Sequence, residues 1–153
     1  MAATEEVDIL LVEDTDSDAT LTMRALRSAQ LNQRIHWAKD GAEALEFLFP
    51  QGEDKPGVEA RLPKLVLLDI KLPKIDGIEV LRRIKSDEYT QPIPVVILTS
   101  SDQEQDLAET YRLGVNSYIT KPVAFDDFMR VVAEVGVYWA VLNKVPYQPA
   151  SML

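Results

Sequence analysis

Short apolar runs alternate along this chain with longer stretches whose apolar residues recur every three or four positions. The runs Val7 to Val12, 34–38, 64–68, 93–98 and 116–119 have the length and content of strands, numbered β1 to β5. Between them the spacing predicts helices α1 over 16–30, α2 over 41–48, α3 over 77–86, α4 over 102–113 and α5 over 124–143. Asp14, Thr15 or Asp16 can cap α1, because their side-chain oxygens accept its free backbone N–H groups. Gly114 stops α4. Residues 50–63 contain Pro50, Gly52, Pro56, Gly57 and Pro63, so they read as an irregular loop. Strand and helix in strict alternation predict βα units around a parallel sheet. Five such units imply an α/β, flavodoxin-like (βα)5 doubly wound fold with strand order 2-1-3-4-5.

In such sheets ligands bind at the carboxyl ends of the strands. The residues at those ends are therefore the first candidates for chemistry. β1 runs out into Glu13-Asp14, β3 into Asp69, β4 into Thr99-Ser100, and β5 into Lys121-Pro122. Taken one at a time each has an ordinary explanation. Asp69 could end a strand as a cap, and Glu13-Asp14 could favour the positive end of a helix. Thr99 could be a turn hydroxyl, and Lys121 a surface lysine. Together, spread over the tips of four of the five strands, they make a constellation that such explanations do not cover.

The stretches VDILLVEDTDSDA (7–19), LVLLDIKLPKIDG (65–77), PVVILTSSD (94–102) and NSYITKP (116–122) resemble the receiver domain of bacterial two-component response regulators. The resemblance spans about residues 7 to 143 and includes Pro73 and Gly77, four and eight residues after Asp69. It looks closest to single-domain regulators paired with cyanobacterial and other bacterial phytochromes. The 50–63 loop, the wording LPKLVLLDIKLPKIDG and the aromatic α5 carry that narrower likeness. The resemblance implies that Asp69 is the phosphorylation site and that the donor is a histidine kinase, with a phytochrome as the candidate. It implies a metal contact from the Lys71 backbone carbonyl and a switch pairing Thr99 with Tyr118. It also implies a small residue at Ser100 and tuning positions at Lys71 and Ser101. A cis bond at Lys121-Pro122 is a further expectation from the resemblance alone.

The same residues can be read from elementary chemistry. Two carboxylates about 4 Å apart repel by roughly 4 kcal/mol at an effective dielectric near 20. Lys121 offsets part of this, and a divalent cation offsets more. Hard oxygen ligands suit Mg²⁺, with Asp14 and Asp69 as direct ligands and Glu13 acting through water. A carboxylate so held can attack an in-line phosphoryl group and form an acyl phosphate. Charge on the transferred group then spreads over three oxygens, which the metal, Lys121 and Thr99 can share. No Gly-rich nucleotide loop is present, so ATP is not the direct donor. In this reading the chain is not an enzyme on other substrates; it catalyses only its own phosphorylation and dephosphorylation.

Composition narrows the setting. The 153 residues suit one domain, a receiver over 1–153 with a short tail at 144–153. A net charge of −9 argues against nucleic-acid binding. No signal peptide or 20-residue apolar span is visible, which points to the cytoplasm and away from a membrane. His36, the only histidine, lies in β2 away from the acids and reads as structural. Asp102, Glu104 and Asp106 read as a solvated start to α4.

Three other functions compete. A metal-dependent aspartyl-phosphate phosphohydrolase would want an acid two residues after Asp69, where Lys71 stands. A flavodoxin-like cofactor binder would meet Glu13 and Asp14 where it needs phosphate donors. A degenerate receiver acting as scaffold would not need the intact acids. One feature bears on output. α5 carries more apolar residues than one buried stripe needs. Phe125, Phe128, Val132, Val135 and Trp139 approximate one face, with Val131, Tyr138, Val141 and Leu142 around it. That excess predicts a homodimer built on the α4–β5–α5 side.

Overall fold

The computed structural model describes residues 7–29, 34–50 and 62–144. Most of the loop expected over 50–63 lies outside them. Five strands form one parallel sheet in the order β2-β1-β3-β4-β5. They are β1 Ile9–Val12, β2 Ile35–Ala38, β3 Leu65–Leu68, β4 Val95–Thr99 and β5 Ser117–Thr120. The expected flavodoxin-like topology is thus the observed one. Val12 lies level with Ala38 on one side and Leu68 on the other, so the tips of β1 and β3 leave the sheet together. Thr99 pairs with Thr120, which sets the tips of β4 and β5 level in the same way.

Side chains alternate across the sheet and divide the core into two layers. Leu10, Val12, Val66, Leu68, Val95 and Ile97 pack with α2 Gly41–Leu48 and α3 Gly77–Ser86 through Ala44, Leu48, Val80, Leu81 and Ile84. Ile9, Leu11, Leu65, Leu67, Val96 and Leu98 face the other way. They meet α1 Asp16–Ser28 and α5 Phe125–Gly136 through Ala19, Ala25, Leu26, Phe128 and Val132. The three central strands are covered on both faces, which is why they read as unbroken apolar runs. α4 Glu104–Leu113 packs beside α3 and ends at Gly114, whose φ of 100° only glycine adopts without strain.

The helix starts follow local chemistry. Asp40 caps α2, its carboxylate accepting the Glu43 N–H at 2.8 Å. Asp76 caps α3 through the Ile78 N–H at 3.4 Å. α1 begins after Thr15, which makes no side-chain cap; its own N–H instead donates to Glu13 Oε2 at 3.1 Å.

Several expectations need correction. β4 starts at Val95, because Ile93 N–H is taken by Thr90 O and Pro94 contributes only its carbonyl, to Val66 N–H. β5 extends to Thr120. α4 starts at Glu104, two residues late. No cis peptide bond occurs among the described residues, so Lys121-Pro122 is trans. Phe125, expected on the buried face of α5, is 52% exposed. Past Gly136 the α-helix gives way to a π-helical turn, Val137–Leu142. Its closing bond runs from Asn143 N–H to Tyr138 O, five residues back.

Candidate functional site

The strand register carries the acids into one place. Asp69 N–H donates to Val12 O at 3.0 Å, which seats Asp69 directly beside the exit of β1. Glu13 is pinned there by its N–H to Ala38 O and by its carbonyl, which accepts the Trp37 indole N–H at 2.7 Å. Carboxylate oxygens of Glu13, Asp14 and Asp69 all lie within 4.8 Å of one another. Glu13 and Asp69 are buried, whereas Asp14 is open to solvent.

Close approach of the backbone is needed to build this corner. Gly77 N–H donates to Ile70 O at 2.9 Å, drawing the start of α3 against the strand end. A Cβ at Gly77 would stand 2.1 Å from the Asp69 carbonyl oxygen, so any larger residue must push Asp69 or α3 away. The loop between carries Lys74 at φ 66°, an unusual conformation for a residue with a Cβ. Lys74 pairs with Asp40 at 3.3 Å across to α2.

Lys121 closes the site from β5. Its N–H donates to Thr99 O at 2.7 Å, tying the two strand tips together. Its Nζ contacts Glu13 Oε1 at 2.7 Å, Asp18 Oδ2 at 2.8 Å and Asp69 Oδ2 at 3.2 Å. Burial favours the neutral amine, but the hydrogen bonds to Asp18 and Glu13 and the charge of Asp69 outweigh it, so the pKa of Lys121 lies above the ordinary lysine value. Glu13 moves upward as well. Burial dominates there, because the one ammonium is shared among three carboxylates and repels Glu13's proton less than desolvation favours it. Three carboxylates facing one cation leave excess negative charge at the pocket. The oxygens of Glu13, Asp14 and Asp69 form the donor set of a hard divalent ion, so these residues fit such a metal.

The hydroxyl side is also assembled. Thr99 is fully buried, and its Oγ1 accepts the Ser101 N–H at 3.2 Å. Tyr118 is half-buried, and its hydroxyl donates to Ser101 O at 2.9 Å. The two switch candidates therefore hold opposite ends of the same residue. Lys71 N–H donates to Asp69 Oδ1 at 3.3 Å, which places that peptide at the pocket edge. Ser100 is exposed.

Two residues that matter were given no role at the site from sequence. Asp18 sits in the first turn of α1, where an acid is ordinary, yet it reaches Lys121. Asp106, read as solvated, is buried. It accepts the Ser101 hydroxyl at 2.6 Å, and Lys71 Nζ lies 3.9 Å from it. His36 stacks on Phe47 at 4.5 Å between ring centroids, in keeping with a structural role.

Comparison with known proteins gives a consistent result. The family model described as response regulator receiver domain matches residues 9–133. "Probable methanogenesis regulatory protein FilR2" of Methanothrix harundinacea is 45% identical over 138 residues, 90% of this chain and 86% of that protein. Response regulator Rcp1 of Synechocystis sp. is 39% identical, covering 90% of this chain and 92% of its own length. The Mn²⁺-bound structure of Rcp1 superposes with a TM-score of 0.80 at 36% identity, over 94% of this chain and 100% of Rcp1. The phosphorylated cyanobacterial phytochrome response regulator RcpA superposes with a TM-score of 0.82 at 36% identity, over 94% of this chain and all of RcpA.

Proposed function

The chain belongs to the response regulator receiver domain family, and from that premise we propose that it accepts a phosphoryl group on Asp69 from the phosphohistidine of a histidine kinase. The observation that carries this is the convergence of Glu13, Asp14 and Asp69 with the Lys121 ammonium at adjacent strand tips. An Asp69 carboxylate oxygen attacks phosphorus, and the bond from phosphorus to the histidine nitrogen breaks, returning the electron pair to the imidazole. Lys121 and the Thr99 hydroxyl take up charge on the equatorial oxygens. Asp14, Asp69 and the Lys71 carbonyl are the residues to hold Mg²⁺, with Glu13 acting through water. The ion supplies charge neutralisation between the acids and the incoming phosphoryl group. The Mn²⁺-bound form of Rcp1 supports a divalent ion as cofactor.

The shared hold on Ser101 supplies a route for output. If Thr99 Oγ turns to the phosphoryl group, it gives up the Ser101 N–H, and the loop bonded to Tyr118 is freed with it. The phosphorylated state is then the one in which Tyr118 can repack against the α4–β5–α5 side. RcpA, named as a phytochrome response regulator, supports a phytochrome as the kinase. We read the chain as one receiver domain that works in the cytoplasm as a homodimer; its net charge of −9 supports a role without nucleic acid, and no helix among the described residues is long and apolar enough to cross a membrane. The phosphohydrolase alternative is not favoured. Lys71 replaces the second acid it needs, and the Lys71 side chain lies toward Asp106.

The test is intact-mass measurement after incubation with acetyl phosphate. One phosphoryl group is expected with Mg²⁺ and none with a chelator. Asp69→Asn should abolish it; labelling that persists in that variant would overturn the assignment.

A further inference from the structure

An ammonium group has three N–H bonds, and in Lys121 each has a carboxylate to meet. The contacts to Glu13 and Asp18, at 2.7 and 2.8 Å, are short, and the contact to Asp69 is longer at 3.2 Å. We infer that Asp18 is a positioning residue for phosphoryl transfer: together with Glu13 it holds two of the three N–H groups, so that the third points at the reacting carboxylate. This inference rests on Asp69 being the phosphoacceptor. The third donor is the one that must change partner, from the Asp69 oxygen to a phosphoryl oxygen. Fixing the other two lets that exchange occur without a search through lysine rotamers.

The geometry sets Asp18 apart from an ordinary helix-start acid. Its neighbour Asp16 lies in the same first turn, but it is exposed, and the Lys121 ammonium contacts Glu13, Asp18 and Asp69 instead. The Asp18 side chain is 37% exposed at the lip of the pocket, while the Lys121 side chain it holds is only 9% exposed. Asp18 is therefore the outer of two anchors and Glu13, buried, the inner one. Asp18 is itself seated by α1, whose Ala19, Ala25 and Leu26 are packed in the core.

Electrostatics alone predicts the opposite effect of removing it. The phosphoryl donor is an anion, and deleting a carboxylate from an acidic pocket should speed its approach. A positioning role predicts slower transfer, so the sign decides between them.

The experiment measures phosphorylation rate with acetyl phosphate and Mg²⁺, and beryllofluoride affinity by calorimetry, with circular dichroism to confirm folding. Asp18→Ala should slow phosphorylation by about tenfold or more and weaken beryllofluoride binding, while Mg²⁺ affinity stays within about twofold. Asp18→Asn, which keeps an acceptor oxygen, should recover most of the rate. Asp16→Ala should behave as wild type. In a Lys121→Ala background, Asp18→Ala should have no further effect on beryllofluoride affinity, because the group it positions is gone. An unchanged or faster Asp18→Ala would overturn the inference, as would an equal loss in the Lys121→Ala background. Wild type that labels at Asp69 in those cases leaves the phosphoacceptor reading standing; wild type that does not label overturns both.

Discussion

Single residues at this site are constrained by space as much as by chemistry. Gly77 contributes no functional group, yet the Asp69 carbonyl occupies the volume where a Cβ would sit. Gly77→Ala is expected to lower stability by about 1–3 kcal/mol, as overpacking does in a close-packed region. It should also shift Asp69 relative to Glu13 and reduce Mg²⁺ affinity. Urea unfolding and calorimetric metal titration check the two effects separately. A variant with wild-type stability and metal affinity would mean that α3 can retreat without disturbing the acids. Asp69, Glu13, Asp14, Thr99 and Lys121 were legible from sequence because each lies within two residues of the end of a predicted strand, and strand ends converge. Asp18 and Asp106 were not, because a helical residue reaches the pocket only through the packing angle of its helix. Nothing in the local run of residues encodes that angle.

At the scale of the element, helix starts respond to pH in a direction that can be stated. The Asp40 carboxyl is held below its ordinary value, chiefly by the Glu43 N–H it accepts, with Lys74 adding to the effect. A lowered folded-state pKa means the ionised cap stabilises the protein at neutral pH. That contribution is lost as pH falls through the folded value. Asp40→Ala should therefore cost about 1 kcal/mol at pH 7, and the gap from wild type should narrow below about pH 4. Chemical unfolding at pH 7 and pH 3 tests this; a gap that widened in acid would contradict it. α2 and α3 have the expected bounds because Asp40-Gly41 and Asp76-Gly77 mark their starts in the sequence itself. The edges of β4 and β5 were misjudged by one or two residues because they are set by partner strands, through bonds such as Lys121 N–H to Thr99 O. The π-helical turn was not legible at all. VYWAVL is apolar in either helical form, and the extra residue in the turn leaves no mark on composition.

At the scale of the whole molecule, α5 and its extension leave an apolar surface exposed. Phe125, Tyr138, Val141 and Leu142 are each at least half exposed, and Tyr111 on α4 is 55% exposed. Light scattering at micromolar concentration should report a dimer for wild type. Tyr138→Lys and Leu142→Lys should shift it to monomer with the fold intact by circular dichroism. Wild type that stays monomeric with and without phosphorylation would exclude the homodimer. The π-helical turn gives this surface an evolutionary reading. Each residue in such a turn advances the helix by a smaller angle than in an α-helix, so side chains after Gly136 lag behind the stripe that Phe128 and Val132 begin. The outward position of Tyr138, Val141 and Leu142 is thus a matter of phase. Removing one residue between Val137 and Leu142 would let the helix wind evenly and roll the following side chains around its axis. A single-codon deletion would thus add or remove this exposed apolar surface with little change in the hydrophobicity of the helix.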